Sequence, residues 1–277
     1  MDLTQEQKIA ILKSKVFPAD VEAFGRFFFP KHLSKPTPRF HKEIFKLYQS
    51  GTERIAIGAP RGHAKSTVTD LVYLAWAITH GIYKFVLLAS DTYSQAVLFL
   101  EALKVEFESN ERLRAFYGVL VTDKWSEGEA VIGSTMVKAV GAGMKVRGLK
   151  FRESRPDLII GDDLENDELV ESQERRDKME RWWNGAVIPS LADGGRVIVI
   201  GTVLHFDSLL SKMLSTDRYT EYDKKTYAAI MDGKALWPEH QSLEDTERLR
   251  AEYSQKGLID QFYREYMNKV VSSENQK

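Results

Sequence analysis

Short apolar runs, each closed by small or acidic residues, mark out the interior of this chain. Residues 55–57 (I-A-I) are stopped by Gly58 and Pro60, residues 84–89 (K-F-V-L-L-A) by Ser90 and Asp91, and residues 158–160 (L-I-I) by Gly161 and the acids Asp162 and Asp163. A further run, R-V-I-V-I-G-T over residues 196–202, ends on Thr202. Apolar runs of this length without alternation predict strands buried on both faces, as in a parallel sheet. Between them the period changes. Apolar residues from Val68 through Ile78 predict a helix, and Ala96, Val97, Leu100, Leu103 and Phe107 place another over residues 93–109. At the start of that helix Ser90, Asp91 and Thr92 read as its cap. Alternation over residues 130–140, with Gly133-Ser134 at its centre, predicts a hairpin.

Strands alternating with helices predict an α/β core over residues 51–215, built on a mainly parallel sheet whose strand ends converge on one rim, where such sheets bind ligands. Residues 1–50 read as two helical pieces broken by Pro30 and K-P-T-P-R (35–39). From residue 216 the pattern predicts a polar strand at 220–229, the segment K-A-L-W-P-E, and two amphipathic helices over about 242–269. These form a small subdomain in which Trp237, Phe262, Tyr263 and Tyr266 serve packing. The polar tail 272–277 is expected to fray.

Charge and composition narrow the classes of function. Lys plus Arg (39) balances Asp plus Glu (40) across 277 residues, so no global basic field announces nucleic acid, and DNA contact would need a local patch or several subunits. The chain has no cysteine, which excludes disulfides, thiolate zinc sites and a thiol nucleophile. The N-terminus, M-D-L-T-Q-E-Q-K, is unlike a signal peptide and no apolar run reaches membrane-spanning length, so a soluble, intracellular protein is expected.

The loop after the first strand carries the first chemistry. A-P-R-G-H-A-K-S-T (59–67) follows a strand and opens a helix, the setting in which backbone N–H groups cradle phosphates and a helix N-terminus faces the anion. In that Walker A arrangement Gly62 gives the turn, Lys65 reaches the β and γ oxygens of ATP, Ser66 holds Mg²⁺, and Pro60, His63, Ala64 and Thr67 complete the loop. Arg61 adds a second cation. Ala64 stands where glycine usually precedes the lysine, and an alanine there restricts the positive-φ backbone the loop favours. Phe40 and His41, just ahead of the first strand, stand where a base-stacking residue often lies, and read equally as core and surface. L-I-I-G-D-D (158–163) has the Walker B form, with Asp162 for the metal and Asp163 as general base. Because glutamate is common at the second place, Glu165 is the alternative base. Thr202, ending its strand, is positioned to sense the γ-phosphate.

With these motifs assembled, the sequence resembles the ATPase portion of the large terminase subunit of tailed bacteriophages. The resemblance rests on A-P-R-G-H-A-K-S-T, on V-R-G-L-K followed by S-R-P-D-L-I-I-G-D-D-L-E, and on R-V-I-V-I-G-T, taken in that order and spacing. It implies a P-loop NTPase fold of the ASCE type and a Mg²⁺-dependent ATPase motor that drives double-stranded DNA into a procapsid. It implies catalytic roles for Lys65, Asp163 and Arg61, and a coupling role for Gly201 and Thr202. Implied partners are the portal protein, the small terminase subunit and further copies of the chain in a ring, with a monomer expected in isolation and the host cytoplasm as location. Arg147, flanked by G-A-G-M-K-V and Gly148, fits a trans-acting arginine finger better than Arg152 or Arg155, and a DNA-facing basic cluster is the other reading of the three. Terminases of this kind continue into a nuclease domain, whereas this chain stops after linker-like helices, so an ATPase fragment is expected. The competing readings are another P-loop translocase or helicase, and an assembly module that binds nucleotide without hydrolysing it.

Overall fold

The computed structural model describes residues 4–215 and 217–270. An eight-stranded sheet forms its centre: β1 (Arg54–Gly58), β2 (Phe85–Ser90), β3 (Val121–Trp125), β4 (Glu129–Ile132), β5 (Thr135–Gly141), β6 (Leu158–Asp162), β7 (Arg196–Gly201) and β8 (Asp223–Thr226). They lie in the order β3-β4-β5-β2-β6-β7-β1-β8, parallel from β5 through β8, with the β3–β4–β5 meander antiparallel. The mainly parallel sheet flanked by helices is the α/β class read from the sequence, and the predicted hairpin is β4–β5.

The apolar runs face both ways. Ile55, Ile57, Val86, Leu88, Ile160, Ile198 and Ile200 project into one core with the N-terminal helices, the helix after the phosphate loop and the helix Tyr93–Ser109. Ala56, Leu87, Ile159, Val197 and Val199 project into the other, against Met179, Trp183, Leu209 and Met213. Period-two side chains buried on two faces explain why these strands read as unbroken apolar runs. Parallel register then brings the strand ends together, because Gly58 stands opposite Gly201, and Asp162 opposite Ile200.

Two boundaries differ from the sequence reading. β8 falls beyond residue 215 yet pairs with β1 as an edge strand of the core sheet, with Ile55 opposite Asp223 and Gly58 opposite Thr226. The free backbone edge of β1 needs a partner more than it needs an apolar one, and the charged side chains of β8 suit an outer edge. The first N-terminal piece is itself divided at Asp20, whose side chain accepts from Ala23 N at 2.9 Å and starts the helix Val21–Phe28. The second piece is the helix Arg39–Gln49. The C-terminal segment adds a small hairpin, Ile230–Met231 with Lys234–Ala235, and the helices Leu243–Gln255 and Ile259–Met267. The tail expected to fray lies outside the described residues.

The helix Arg39–Gln49 is tied to the sheet by Arg196 at the start of β7. The guanidinium donates to the carbonyls of Leu47, Tyr48, Ser50 and Thr52 and to the Tyr73 hydroxyl. One cation thus serves the orphan carbonyls of a helix C-terminus, where the helix dipole favours positive charge, and fixes the entry of the chain into β1. Arg196→Met keeps the length of the stem but removes every donor, and should lower the unfolding free energy in urea by about 2–4 kcal/mol. A loss below about 0.5 kcal/mol would show that water satisfies these carbonyls equally well.

Candidate active site

The loop leaving β1 is held from three sides. Ala59 N donates to Gly201 O (2.9 Å) at the end of β7, and Arg61 N donates to Glu265 O (2.8 Å) on the C-terminal helix. His240 Nε2 bonds Gly62 O at 2.9 Å. Within this frame Gly62 takes φ +76° and Ala64 takes φ +59°. The glycine adopts the left-handed region freely, whereas the alanine pays about 1–2 kcal/mol to reverse the chain into the helix that begins at Lys65. The sequence reading that alanine restricts this conformation is met by a loop that forces it there.

Lys65 is 8 % exposed and its Nζ lies 3.0 Å from Asp163 Oδ2. Burial alone would lower the lysine pKa, but the negative charges of Asp163 and Asp162 outweigh it and raise the pKa, so the ammonium stays charged. Asp163 has φ +43°, and four contacts hold it there. Its N donates to Ile200 O (3.0 Å), its carbonyl accepts from Asp91 N (3.1 Å), Oδ1 accepts from Thr202 N (3.2 Å), and Oδ2 takes Lys65. Thr202 Oγ1 also reaches Ala59 O at 3.4 Å, so the residue expected to sense the γ-phosphate joins the loop after β1 to Asp163.

Asp162 is fully buried and neither carboxyl oxygen has a hydrogen-bond partner. Burial, reinforced by the charge of Asp163, pushes its pKa up, and Lys65, Asp70 and Ser66 act in the other direction. Bare carboxylate oxygens beside Ser66 fit a divalent cation. Among the described residues no group of three or more histidines or acids could hold a metal alone.

Glu165 is occupied elsewhere. Its two oxygens accept from Leu209 N (2.9 Å) and Leu210 N (3.2 Å) at the start of the helix Leu209–Leu214, and burial raises its pKa. Asp163, by contrast, faces Lys65 and the cavity.

Phe40 and His41 offer no free face for stacking, because both are buried against Trp237. His41 instead holds the loop from beneath, its Nε2–H donating to His63 O at 2.9 Å, while its Nδ1 is buried without a partner. His63 is likewise buried, its Nδ1 3.0 Å from Arg61 O. Arg61 forms an ion pair with the buried Glu265 at 3.1 Å. Arg147 is exposed and donates through Nε to Gly185 O at 3.1 Å. Arg152 takes φ +53° with its guanidinium over the Phe151 ring.

A cavity of about 310 Å³ opens over these groups, lined among others by Arg61, Lys65, Asp91, Asp163, Thr202 and Glu265. Two of these escaped the sequence reading. Ser90, Asp91 and Thr92 were read as a helix cap, and Thr92 does cap the helix, its Oγ1 accepting from Gln95 N at 3.2 Å; Asp91 has a further role, its Oδ2 accepting from Asn166 Nδ2 (2.9 Å) and its N donating to the Asp163 carbonyl. Its place at the carboxyl end of a buried strand was the available signal. Glu265, on a helix assigned to packing, carries no local signal, because only the return of the chain across the sheet brings it to Arg61.

This is an α/β fold with a mainly parallel sheet, in which the loop after β1 and the acids Asp162 and Asp163 lie at adjoining strand ends. More particularly, it is the fold of the ATPase domain of phage large terminases. The HK97 bacteriophage large terminase superposes with a TM-score of 0.60 at 17 % identity, over 91 % of this chain and 55 % of that one. The large terminase ATPase domain of Thermus phage P74-26 gives 0.58 at 14 % identity, over 88 % of this chain and 97 % of that one. The large terminase of a thermophilic bacteriophage solved with ADP gives 0.54 at 13 % identity, over 85 % and 54 %. This chain therefore spans about half the length of the HK97 protein and nearly all of the P74-26 ATPase domain. No protein-family model and no curated protein matches the sequence.

Burial lowers the His41 pKa to about 4 from an ordinary 6.5. The unfolded chain gains this proton near pH 6.5 and the folded chain only near 4, so the contribution to stability is complete above 6.5 and is lost as pH falls through that window. From pH 7.5 to 5.0 the loss of unfolding free energy should be about 2 kcal/mol larger for the wild type than for His41→Gln. Equal losses in urea titrations at the two pH values would show that His41 is not held neutral.

Proposed function

We propose that this chain is a Mg²⁺-dependent ATPase motor domain of a phage large terminase, driving double-stranded DNA into a procapsid. The observation that carries the reading is the bridge Lys65–Asp163–Thr202, which joins the phosphate loop, the Walker B strand and the end of β7 at one rim of a terminase-type ATPase fold. Backbone N–H groups of the loop and the Lys65 ammonium bind the phosphates of ATP. Asp162 and Ser66 would hold Mg²⁺, which supplies charge neutralisation at the β and γ oxygens. Phosphate oxygens entering the cavity compete with Asp163 for Lys65, and the released carboxylate is then free to orient and deprotonate water at its outer edge. Thr202, bonded to both Asp163 and the loop, carries the difference between the two states into the end of β7. Residues 60–67 form the phosphate-binding segment, with Phe40 and His41 supporting it from below.

Double-stranded DNA, the portal and the small terminase subunit are the partners this reading implies, in a ring of copies acting in the host cytoplasm. The chain spans about half of the HK97 large terminase, so any nuclease function belongs to the reading of the whole protein. In the ring, Arg147 of one copy serves the site of the next.

Turnover by the purified chain with Mg²⁺-ATP tests the core of the proposal. Lys65→Ala should abolish activity and weaken nucleotide binding. Asp163→Asn should lower kcat by about 100-fold or more with binding largely kept, and Glu165→Gln should act chiefly on stability. A wild-type chain that binds ATP without hydrolysing it, with or without DNA, would make it a nucleotide-binding assembly module instead.

Mixing tests the shared site. Arg147→Ala and Lys65→Ala proteins should each be inactive alone and recover partial ATPase activity together, since an intact Lys65 site can borrow an intact Arg147. An arginine supplied in this way contributes about 10³ to 10⁵ in rate. Full activity of Arg147→Ala by itself would remove it from the site, and loss of DNA binding with normal hydrolysis would assign it to the DNA path.

A further inference from the structure

The crossover from β5 to β6, residues 142–157, runs from the rim that carries the site to the opposite rim of the sheet. Ala142 N donates to Ser90 O at the end of β2 (3.0 Å), and Asp157 N donates to Phe85 O at its start (2.9 Å). Along this crossover the side chains divide. Val146, Leu149 and Phe151 pack into the core beneath, while Lys145, Arg147, Lys150, Arg152 and Arg155 are exposed. Residues 145–155 thus carry five cations against one acid, Glu153, in a chain whose net charge is −1. Among the described residues none of the five forms an ion pair, whereas Arg39, Arg175, Arg218, Arg248 and Arg250 elsewhere on the surface each pair with an acid. Arg152 stands in a tight turn closed by Phe151 N donating to Ser154 O (2.9 Å) and Ser154 N donating to Phe151 O (3.0 Å). Its φ of +53° is a conformation that glycine adopts freely and arginine reaches only under strain, and such strain tends to mark functional positions. The guanidinium lies over the Phe151 ring, 5.1 Å from its centroid, which steadies its plane.

We propose that Lys145, Lys150, Arg152 and Arg155 form a strip that binds the phosphate backbone of double-stranded DNA. The inference rests on the packaging reading above for the identity of the polyanion, and adds the surface that takes it. Arg147 is left to the shared site described there. A duplex carries about one negative charge per 1.7 Å of its axis and a condensed layer of counterions, so a row of unpaired cations gains by releasing that layer. A chain with balanced charge can bind DNA only where its cations are gathered and unopposed, which is the condition met over residues 145–155. The two arginines add planar donor forks that match pairs of phosphate oxygens. An anionic membrane is served less well by this surface. Segments that lie on lipid insert apolar side chains, and here Val146, Leu149 and Phe151 are committed to the core. Contacts confined to phosphates position a duplex without reading its sequence, as a motor that moves along any DNA requires.

The test is the salt dependence of binding. A fluorescent duplex of about 30 base pairs and arbitrary sequence is titrated with the chain at salt concentrations from about 25 to 150 mM, and DNA-free ATP turnover is measured on the same preparations. Lys150→Gln, Arg152→Gln and Arg155→Gln combined should lower the slope of log affinity against log salt by about 2–3. At about 100 mM salt, binding should weaken by about 30-fold or more, with DNA-free turnover kept. A control combining Lys46→Gln, Lys234→Gln and Lys256→Gln, all exposed and away from the strip, changes the net charge equally and should leave the slope within about 0.5 of wild type. Equal losses in the two triple variants, or an unchanged slope in the first, would overturn the strip and leave the ATPase reading intact. Strip-dependent binding to phosphatidylserine vesicles with none to the duplex would assign the surface to a membrane and overturn the proposal. A wild-type chain that hydrolyses ATP yet binds no duplex at any salt would overturn the strip and the DNA part of the packaging reading together. Strip-dependent duplex binding by a chain that does not hydrolyse ATP would uphold the strip and overturn the motor.

Discussion

One buried ammonium group faces three carboxyl groups at the rim of the sheet. Lys65 lies 3.0 Å from Asp163, with Asp162 close enough to raise its pKa and Asp70 behind, where the same ammonium opposes the upward pull of burial. The imbalance is tolerable because the acids are not equivalent. Asp163 is partly exposed and bonded to Lys65, while Asp162 and Asp70 are sealed from water and their carboxyl oxygens have no hydrogen-bond partner. Burial penalises charge on the two sealed acids and raises the pKa of each. The sheet order makes this arrangement unavoidable. β6 lies directly beside β7, which lies beside β1, and parallel pairing delivers the end of each strand to the same rim.

Backbone strain is concentrated at the same place. Ala64 and Asp163 both occupy the left-handed region, one at the turn into the phosphate-loop helix and the other just past β6. Each is held by contacts from other parts of the chain: the loop by Gly201, Glu265 and His240, the acid by Ile200, Asp91, Thr202 and Lys65. Strained residues persist where their surroundings over-determine them, and such places tend to coincide with functional sites. Both positions lie where Lys65 and Asp163 are aimed at each other.

The C-terminal helices are tied into this frame through backbone and side chain together. Glu265 accepts from Arg61 N and pairs with its guanidinium. Asn268, itself at φ +49°, donates to Tyr227 O and accepts from Val203 N, which joins the end of the helix Ile259–Met267 to the segments after β7 and β8. Trp237 seals Phe40 and His41 under the loop. A segment that reads as a separate appendage is thus one wall of the cavity, and rearrangement of the phosphate loop would be felt directly by the helix that carries Glu265.

The sequence by itself determined the elements whose signals are local. The apolar runs ending in G-x-P, D-D and G-T specify buried strands with polar ends, the helical period specifies Tyr93–Ser109, and Gly133-Ser134 specifies a tight hairpin, because each depends on neighbours within a few residues. The positions of the loop 59–67 and of the acids at 162 and 163 at strand ends were legible for the same reason. Tertiary structure decided what depends on distant partners. β8 is a strand because β1 has an open edge, although its own residues are charged. Phe40 and His41 are buried because Trp237, nearly two hundred residues away in the chain, closes over them. Glu165 is a helix-end acceptor because the start of Leu209–Leu214 arrives beside it. Local pattern fixes how a segment folds, and the return of the chain across the sheet fixes which charges must share one buried space.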